Sequence, residues 1–494
     1  MRTPFLLLFF GSILTLGLNA QEHLEERLSK LENMVQSLQK ELNTRNQKID
    51  VLEKEINRLQ TGGRAAQGEA GVSEDALLDQ LISGEKKQEE PGQLKNLSLG
   101  PLKLIDISAI VDVAAGTSSE RDPVIEQLQG GGHDPRNRGF SLQQLELSLS
   151  GAVDPYFDLE AHIVFSEGAV ELEEAFGTST ALPAGLELKV GYFLTEFGRV
   201  NGQHPHSWSW MDQPIIATRL LGGEGMRGPG ARLGWLTPLP WYSQVMVGMQ
   251  QSTGEFMGSF RGGELAHSHD EDHGHEEEEE HEHDISRDED EDHDEEHEDD
   301  AVTIGGRPIV EYETSNMDDF VYLVRWINGF TLTDEVSAEW GLSGLYGSNA
   351  SGPDGETFMY GTDLTLKWER ANRNLGRPLL EWQTEFMQRK FDADAYIGEE
   401  FELPSDTLTD WGLYTQLVYA LNRDWSIGLR YEYATGSGDN YEHDEIADRS
   451  EDALRADRTR LSPLVIYHPT EFTRLRLQVN YDEADHLESG DAVS

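Results

Sequence analysis

Eight histidines crowd into residues 264–300: His267, His269, His273, His275, His281, His283, His293 and His297. Six of them form His-x-His pairs, at 267/269, 273/275 and 281/283. The same stretch holds 22 Asp/Glu and one Arg, a net charge of -21. Neutral imidazoles beside carboxylates are a donor set for Zn²⁺, and also for Ni²⁺, Cu²⁺ or Co²⁺. The spacing is loose, which implies several weak exchangeable sites rather than one closed tetrahedral one. No cofactor is required on this reading. Mutual repulsion of the carboxylates holds such a segment open until cations neutralise it. The alternative is a solubilising low-complexity insertion, but Asp and Glu alone would serve that purpose.

A second candidate lies in residues 195–228, which carry Glu196, Arg199, His204, His206, Trp208, Trp210, Asp212, Arg219 and Arg227. His204-Pro205-His206 is a further, weaker metal signal. Acids recur on one set of alternating positions (Glu146, Asp158, Glu160, Glu171, Glu173, Glu187), and Arg458, Arg460, Arg474 and Arg476 form a basic ladder near the C-terminal end. Facing each other across an opening, such groups create a transverse field that orients polar solutes. Alternatively, they satisfy one another in a wall. His162 stands alone among acids, so no nucleophile or acid–base constellation emerges and the chain is read as a non-enzyme.

The elements that must position these residues follow from composition and period. The chain has 494 residues, a formal net charge of -53 and no cysteine. A polyanion of this size repels phosphate, which excludes nucleic acid as a partner. Disulfide scaffolds and Cys-ligated zinc modules are also excluded. Residues 1–20 have one Arg, an apolar stretch and a small residue at Ala20, the pattern of a secretory signal peptide. From Leu24 to Leu59 the apolar residues follow 4-3 spacing, interrupted at Arg45, so residues 21–60 read as an α-helical coiled coil. Its two-position stripe is buried only by copies of itself. Arg27-Leu28-x-x-Leu31-Glu32 has the Arg-h-x-x-h-Glu form associated with trimers, and a homotrimer is expected. Residues 61–100 form a Gly- and Pro-marked linker with a short helix near 73–82.

After Leu102 the period becomes two. In Ser141–Gly151, Leu145, Leu147 and Leu149 alternate with Gln144, Glu146 and Ser148. Fifteen strands are predicted, near 102–116, 139–152, 155–166, 170–180, 185–194, 229–238, 241–252, 318–330, 333–346, 358–371, 377–390, 409–422, 424–436, 455–467 and 471–482. Every second connection is tight and most others are long. That asymmetry, with Trp and Tyr near strand ends, predicts an all-β membrane barrel across residues 101–494 rather than a sandwich. Single-chain bacterial barrels have even strand numbers, so a sixteenth antiparallel strand is expected, lying beyond the end of the sequence unless the count is off by one. In this barrel residues 195–228 are the constriction loop, and 253–317 an external loop holding the histidines. The expected location is the outer membrane of a Gram-negative-type bacterium, with the coiled coil in the periplasm.

Phe140-Ser-Leu-Gln-Gln-Leu-Glu-Leu-Ser-Leu-Ser-Gly151, Asp154-Pro-Tyr-Phe157 and Leu188-Lys-Val-Gly-Tyr-Phe-Leu-Thr-Glu-Phe-Gly198 together resemble the phosphate-selective porin (O and P type) superfamily. The resemblance covers roughly residues 100–482. It implies a trimeric sixteen-stranded outer-membrane porin, some relatives carrying an N-terminal periplasmic coiled coil. The family's phosphate site needs clustered Lys and Arg. This chain has no such loop, so phosphate selectivity is not implied. The expected function is diffusion of small hydrophilic solutes or ions, with divalent metal gathered at the mouth. A TonB-dependent-type metal receptor is disfavoured, because residues 61–100 are too short for a plug and such barrels are larger. A structural outer-membrane tether without transport is the remaining alternative.

Overall fold

The computed structural model describes residues 105–166, 169–262, 303–310, 317, 320–370, 377–398, 401–442, 445–487 and 489–494. The signal peptide, the coiled coil with Arg27, Leu28, Leu31 and Glu32, the linker, and all eight loop histidines lie outside the described residues.

Antiparallel strands follow one another around a single sheet. They are β1 (Asp106–Gly116), β2 (Gly139–Asp154), β3 (Phe157–Phe165), β4 (Val170–Ser179), β5 (Leu186–Leu194), β6 (Arg227–Leu236), β7 (Tyr242–Gln251), β8 (Phe320–Thr333), β9 (Val336–Ser348), β10 (Glu356–Trp368) and β11 (Leu380–Ala393). Two short hairpins then decorate the loops. The first, β12 (Tyr396–Ile397) and β13 (Glu402–Leu403), precedes β14 (Asp406–Ala420) and β15 (Trp425–Ser437). The second, β16 (Asn440–Glu442) and β17 (Glu445–Ala447), precedes β18 (Arg458–Thr470). β19 (Thr473–Gln478) and β20 (Tyr481–Ala484) both pair with β18, so they are one strand broken at residues 479–480. β21 (Asp491–Val493) pairs with β20.

Counting β19 and β20 together, the sheet has the fifteen expected strands, with ends within a few residues of the expected ones. β21 adds a sixteenth, three residues long, paired with β20. The count was therefore short by one, because three residues are too few to register as an alternation. Near it, Ser119 N donates to Val493 O at 2.9 Å and Val493 N donates to Ser119 Oγ at 3.0 Å, joining the first loop to the last strand.

The alternation is inside out relative to a soluble protein. On β15, Leu429 is 49% exposed, whereas Arg430 and Glu432 on the other face are 1% exposed. β8 repeats this, with Val324 exposed and Arg325 buried. A soluble fold would bury the aliphatic face, because each large aliphatic side chain gains about 1.5–3 kcal/mol from burial. Presenting that face outward and the charges inward is the pattern of a barrel surrounded by hydrocarbon. Trp425 stacks on Tyr467 (4.5 Å between ring centroids) at one strand end. Among the described residues no helix is long and apolar enough to cross a membrane.

Two features inside this frame have no signature in the strand pattern. Helix α1 (Asp122–Leu128) lies in the loop between β1 and β2, and α2 (Ile215–Leu221) in the loop between β5 and β6. Gly222, with φ +83°, ends α2 in a conformation that a Cβ would strain. α2 packs on β11, β14 and β15. Its Ile215, Ile216, Ala217, Leu220 and Leu221 join Met387, Tyr414 and Ala434 in one buried apolar cluster. Barrel strands point polar groups inward, so this interior apolar patch is covered by the loop.

Candidate functional site

The loop from β5 to β6 runs through residues 195–226, and ion pairs fix it to the wall along its length. At its start, Glu196 receives Lys189 Nζ at 2.7 Å and Arg232 Nη2 at 3.1 Å. Burial alone would raise the Glu196 carboxyl, but Lys189 and Arg232 reverse this and lower it. Arg199 pairs with Glu339, and its backbone N–H donates to Glu385 Oε1 at 2.9 Å. At the far end Arg227 pairs with Glu171 and stacks on Phe256, 3.8 Å from guanidinium carbon to ring centroid.

Asp212 is the central tether. It is buried, pairs with Arg430, and receives Arg460 Nη1 at 2.7 Å, Gln478 Nε2 at 2.7 Å and Asn480 Nδ2 at 3.0 Å. Arg430 also pairs with Glu432, whose other oxygen accepts the Ile215 N–H at 2.8 Å where α2 begins. Trp210, beside Asp212, is buried and donates from Nε1 to Ser462 O at 3.0 Å. Arg219 is buried on α2 and donates to Ala456 O at 2.7 Å. Burial lowers its guanidinium to about 9.

The basic ladder is not a free charged face. Asp482 lies 2.8 Å from both Arg458 and Arg460, which also donate to Leu128 O at the end of α1. Arg474 donates to the carbonyls of His206 and Trp208, and Arg476 to that of Trp210 and to Asp112 at 2.5 Å. The ladder therefore does not face an acidic arc across an opening. It grips one side of segment 204–212, and the acids grip the other.

Those acids form the most concentrated cluster. Across β2, β3 and β4, Ser148, His162 and Glu174 lie in one register line. A bulge between His162 and Ile163 leaves Glu173 as an extra residue on β4. Successive strand residues normally face opposite sides, yet here Glu173 and Glu174 are both buried. His204 sits between them, with Nδ1 2.8 Å from Glu173 Oε2 and Nε2 2.9 Å from Glu174 Oε2. Glu146, fully buried on β2, lies 2.8 Å from His206 Nδ1, 3.2 Å from His162 Nδ1 and 3.7 Å from His204 Nδ1. The rings of His162 and His204 are 4.4 Å apart. Burial alone would lower the His204 imidazole, but the hydrogen bonds to Glu173 and Glu174 outweigh it and raise it to about 10. One ligand atom each from Glu146, His162 and His204 falls within 4.8 Å of the others. His162 is therefore not alone among acids. Three His and three Glu converge from four segments, and only the His-x-His at 204/206 is visible in sequence.

Of the other acids on the expected face, Glu187 holds Arg232 at 2.6 Å, and Asp158 and Glu160 are half-buried. Between loop and wall an open cavity of ≈ 450 Å³ remains, lined by Arg199, Gln203, Trp208, Lys367, Glu381, Gln383 and Arg430 among others. Charged and amide groups dominate it, so it suits water and hydrophilic solutes.

The loop between β1 and β2 braces the β5–β6 loop. Gly132 N donates to Gly223 O at 2.9 Å, Gln213 N to Asp134 Oδ1 at 2.9 Å, and His133 Nε2 lies 3.3 Å from Glu224 Oε2. Burial alone would lower the His133 imidazole, but Glu224 raises it to about 9. Burial alone would raise Glu224, and His133 brings it down to about 2.

No family model matches the chain. It is similar to a protein of Aquifex aeolicus (strain VF5) described as uncharacterized, 28% identical over 402 residues, spanning 78% of this chain and 75% of that one. Among solved structures it is similar to the outer membrane channel DcaP of Acinetobacter baumannii, at 10% identity and TM-score 0.44, covering 79% of this chain and 95% of that chain. It is also similar to OmpT, an outer membrane protein of Vibrio cholerae, at 7% identity and TM-score 0.42, covering 81% and 97%. These likenesses concern the barrel fold alone.

Two outcomes are expected. Asp212→Asn removes the charge that Arg430 and Arg460 share. Unpairing a buried ion pair costs about 3–5 kcal/mol, and Glu432 and Asp482 remain as partners, so the loss should lie near the lower figure in denaturant unfolding. An unchanged midpoint would exclude the tether. The His133 imidazole stands above its ordinary 6.5, so its contribution is complete below that pH and is lost as pH rises through about 9. The Glu224 contribution is complete above 4.5 and lost as pH falls through about 2. The stability difference between the native chain and His133→Gln should therefore be constant near pH 6 and close by about pH 10. A difference persisting above that would exclude the ion pair as its source.

Proposed function

We propose that this protein is an outer-membrane channel for small hydrophilic solutes or ions, of the trimeric porin kind. The supporting observation is the inside-out barrel with a long loop drawn into its interior. Aliphatic residues such as Leu429 and Val324 face out, Arg430, Glu432 and Arg325 face in, and segment 195–226 lies inside with a polar cavity beside it. A barrel of about sixteen strands is wide enough for an aqueous lumen. The loop supplies the narrowing that sets size and charge preference.

The phosphate-selective superfamily is the finer family reading, without its phosphate specificity. Trimer formation is supported by the coiled-coil spacing of residues 21–60, and that segment would stand in the periplasm. The histidine- and acid-rich segment 264–300 connects β7 to β8, on the rim of the long connections. There it would raise the local concentration of divalent cations, zinc foremost, at the channel mouth. The chemistry is passive binding and diffusion, with no enzymatic step.

Reconstituted protein should produce stepwise currents in planar bilayers, and salt gradients should reveal its ion preference. A silent membrane would overturn the channel reading. Deleting residues 264–300 should leave the steps intact and remove the numerous weak zinc equivalents measured by calorimetry. Undiminished weak binding would overturn the role given to that segment.

A further inference from the structure

We propose that Glu146, His162 and His204 form a binding site for one divalent transition-metal cation, which pins the constriction loop to the β2–β4 wall. This site is separate from the histidine-rich segment 264–300 and uses none of its residues.

The distances fit. Zinc–ligand bonds of about 2.0–2.1 Å in tetrahedral geometry place ligand atoms about 3.3 Å from one another. Glu146 Oε1 is 3.2 Å from His162 Nδ1, and Glu146 Oε2 is 3.7 Å from His204 Nδ1. The three ligand atoms lie within 4.8 Å of one another, so a cation among them would draw the side chains together without moving the strands. The donors are two imidazoles and one carboxylate, as in three-ligand zinc centres that keep a fourth position open. Glu146 is fully buried, so the cation would meet a carboxylate stripped of bulk water.

The surrounding residues orient these ligands. With His204 Nδ1 on the metal, Nε2 donates to Glu174 Oε2 at 2.9 Å, and Glu174 Oε1 is itself held by Leu194 N at 2.8 Å. A carboxylate behind a ligating imidazole fixes the tautomer and strengthens the ligand. Glu174 is therefore a positioning residue. Ser148 Oγ donates to Glu146 Oε1 at 2.8 Å and steadies the carboxylate. Glu146, Glu173 and Glu174 together supply three negative charges, and a divalent cation displaces protons from the imidazoles between them. Glu146 and His162 belong to the wall and His204 to the loop, so the bound cation joins the two.

The test uses the full chain lacking only residues 264–300, so the external segment cannot contribute. Loaded with zinc, it should bind one equivalent, and X-ray absorption should find two imidazoles plus oxygen donors around the metal. A shell without imidazole, or no stoichiometric binding, overturns the proposal. The double variant His162→Ala/His204→Ala should lose this equivalent, and unchanged affinity overturns the proposal. If that variant does not fold, X-ray absorption on the unaltered pore still decides. So does Glu174→Gln, which should weaken binding about 10–100-fold, as for other groups behind a ligand. The effect on current rests on the channel reading. Zinc should alter single-channel current in the deleted chain and not in the double variant, and an unchanged current with zinc bound overturns the pinning. Protein that binds zinc through two imidazoles but conducts nothing would refute the channel and leave the metal site standing.

Discussion

Asp212 carries one negative charge into a region shared with two buried arginines, Arg430 and Arg460, and much of the interior is arranged around that contact. A buried guanidinium without a partner is costly, so wall arginines require carboxylates. Asp482 and Glu432 supply some of these from the wall, and the loop supplies Asp212. The loop is thus held inside by the unmet charge of the barrel. Neighbouring contacts follow the same logic: Trp210 is seated against Ser462, and α2 begins where Glu432 accepts the Ile215 N–H.

The loop is gripped from two sides by different chemistry. On the β18–β19 side, Arg474 and Arg476 hold carbonyls of residues 206–210, which are neutral acceptors. On the β2–β4 side, carboxylates hold imidazoles. The first attachment uses guanidinium groups donating to backbone carbonyls. The second sets imidazoles between buried carboxylates.

The bulge on β4 makes the acidic side. With a regular ladder, Glu173 and Glu174 would point to opposite faces, and one carboxylate would enter the apolar exterior. One extra residue turns both inward and places His204 between them. A defect in pairing thereby concentrates charge without burying any of it in the outward face.

The strand positions, their antiparallel order and the identity of the inward loop were legible in sequence, because the two-residue period and turn lengths are local properties. The acidic alternation at Glu146, Asp158 and Glu160 marked an inward face for the same reason. Three things depended on tertiary structure. The short strand Asp491–Val493 exists through its pairing with Tyr481–Glu483, not through any pattern of its own. The arginine ladder read as an open charged face, but its partners Asp212, Leu128 and Trp208 come from segments far away in the chain. His162 read as isolated, since its neighbours are 16 and 42 residues distant and meet it only through strand register and loop entry. Sequence determined which residues face inward, since that is set by adjacent residues along one strand. Which inward residues touch one another was decided by the closure of the barrel and the path of the loop, because those contacts join strands and loops that no local period relates.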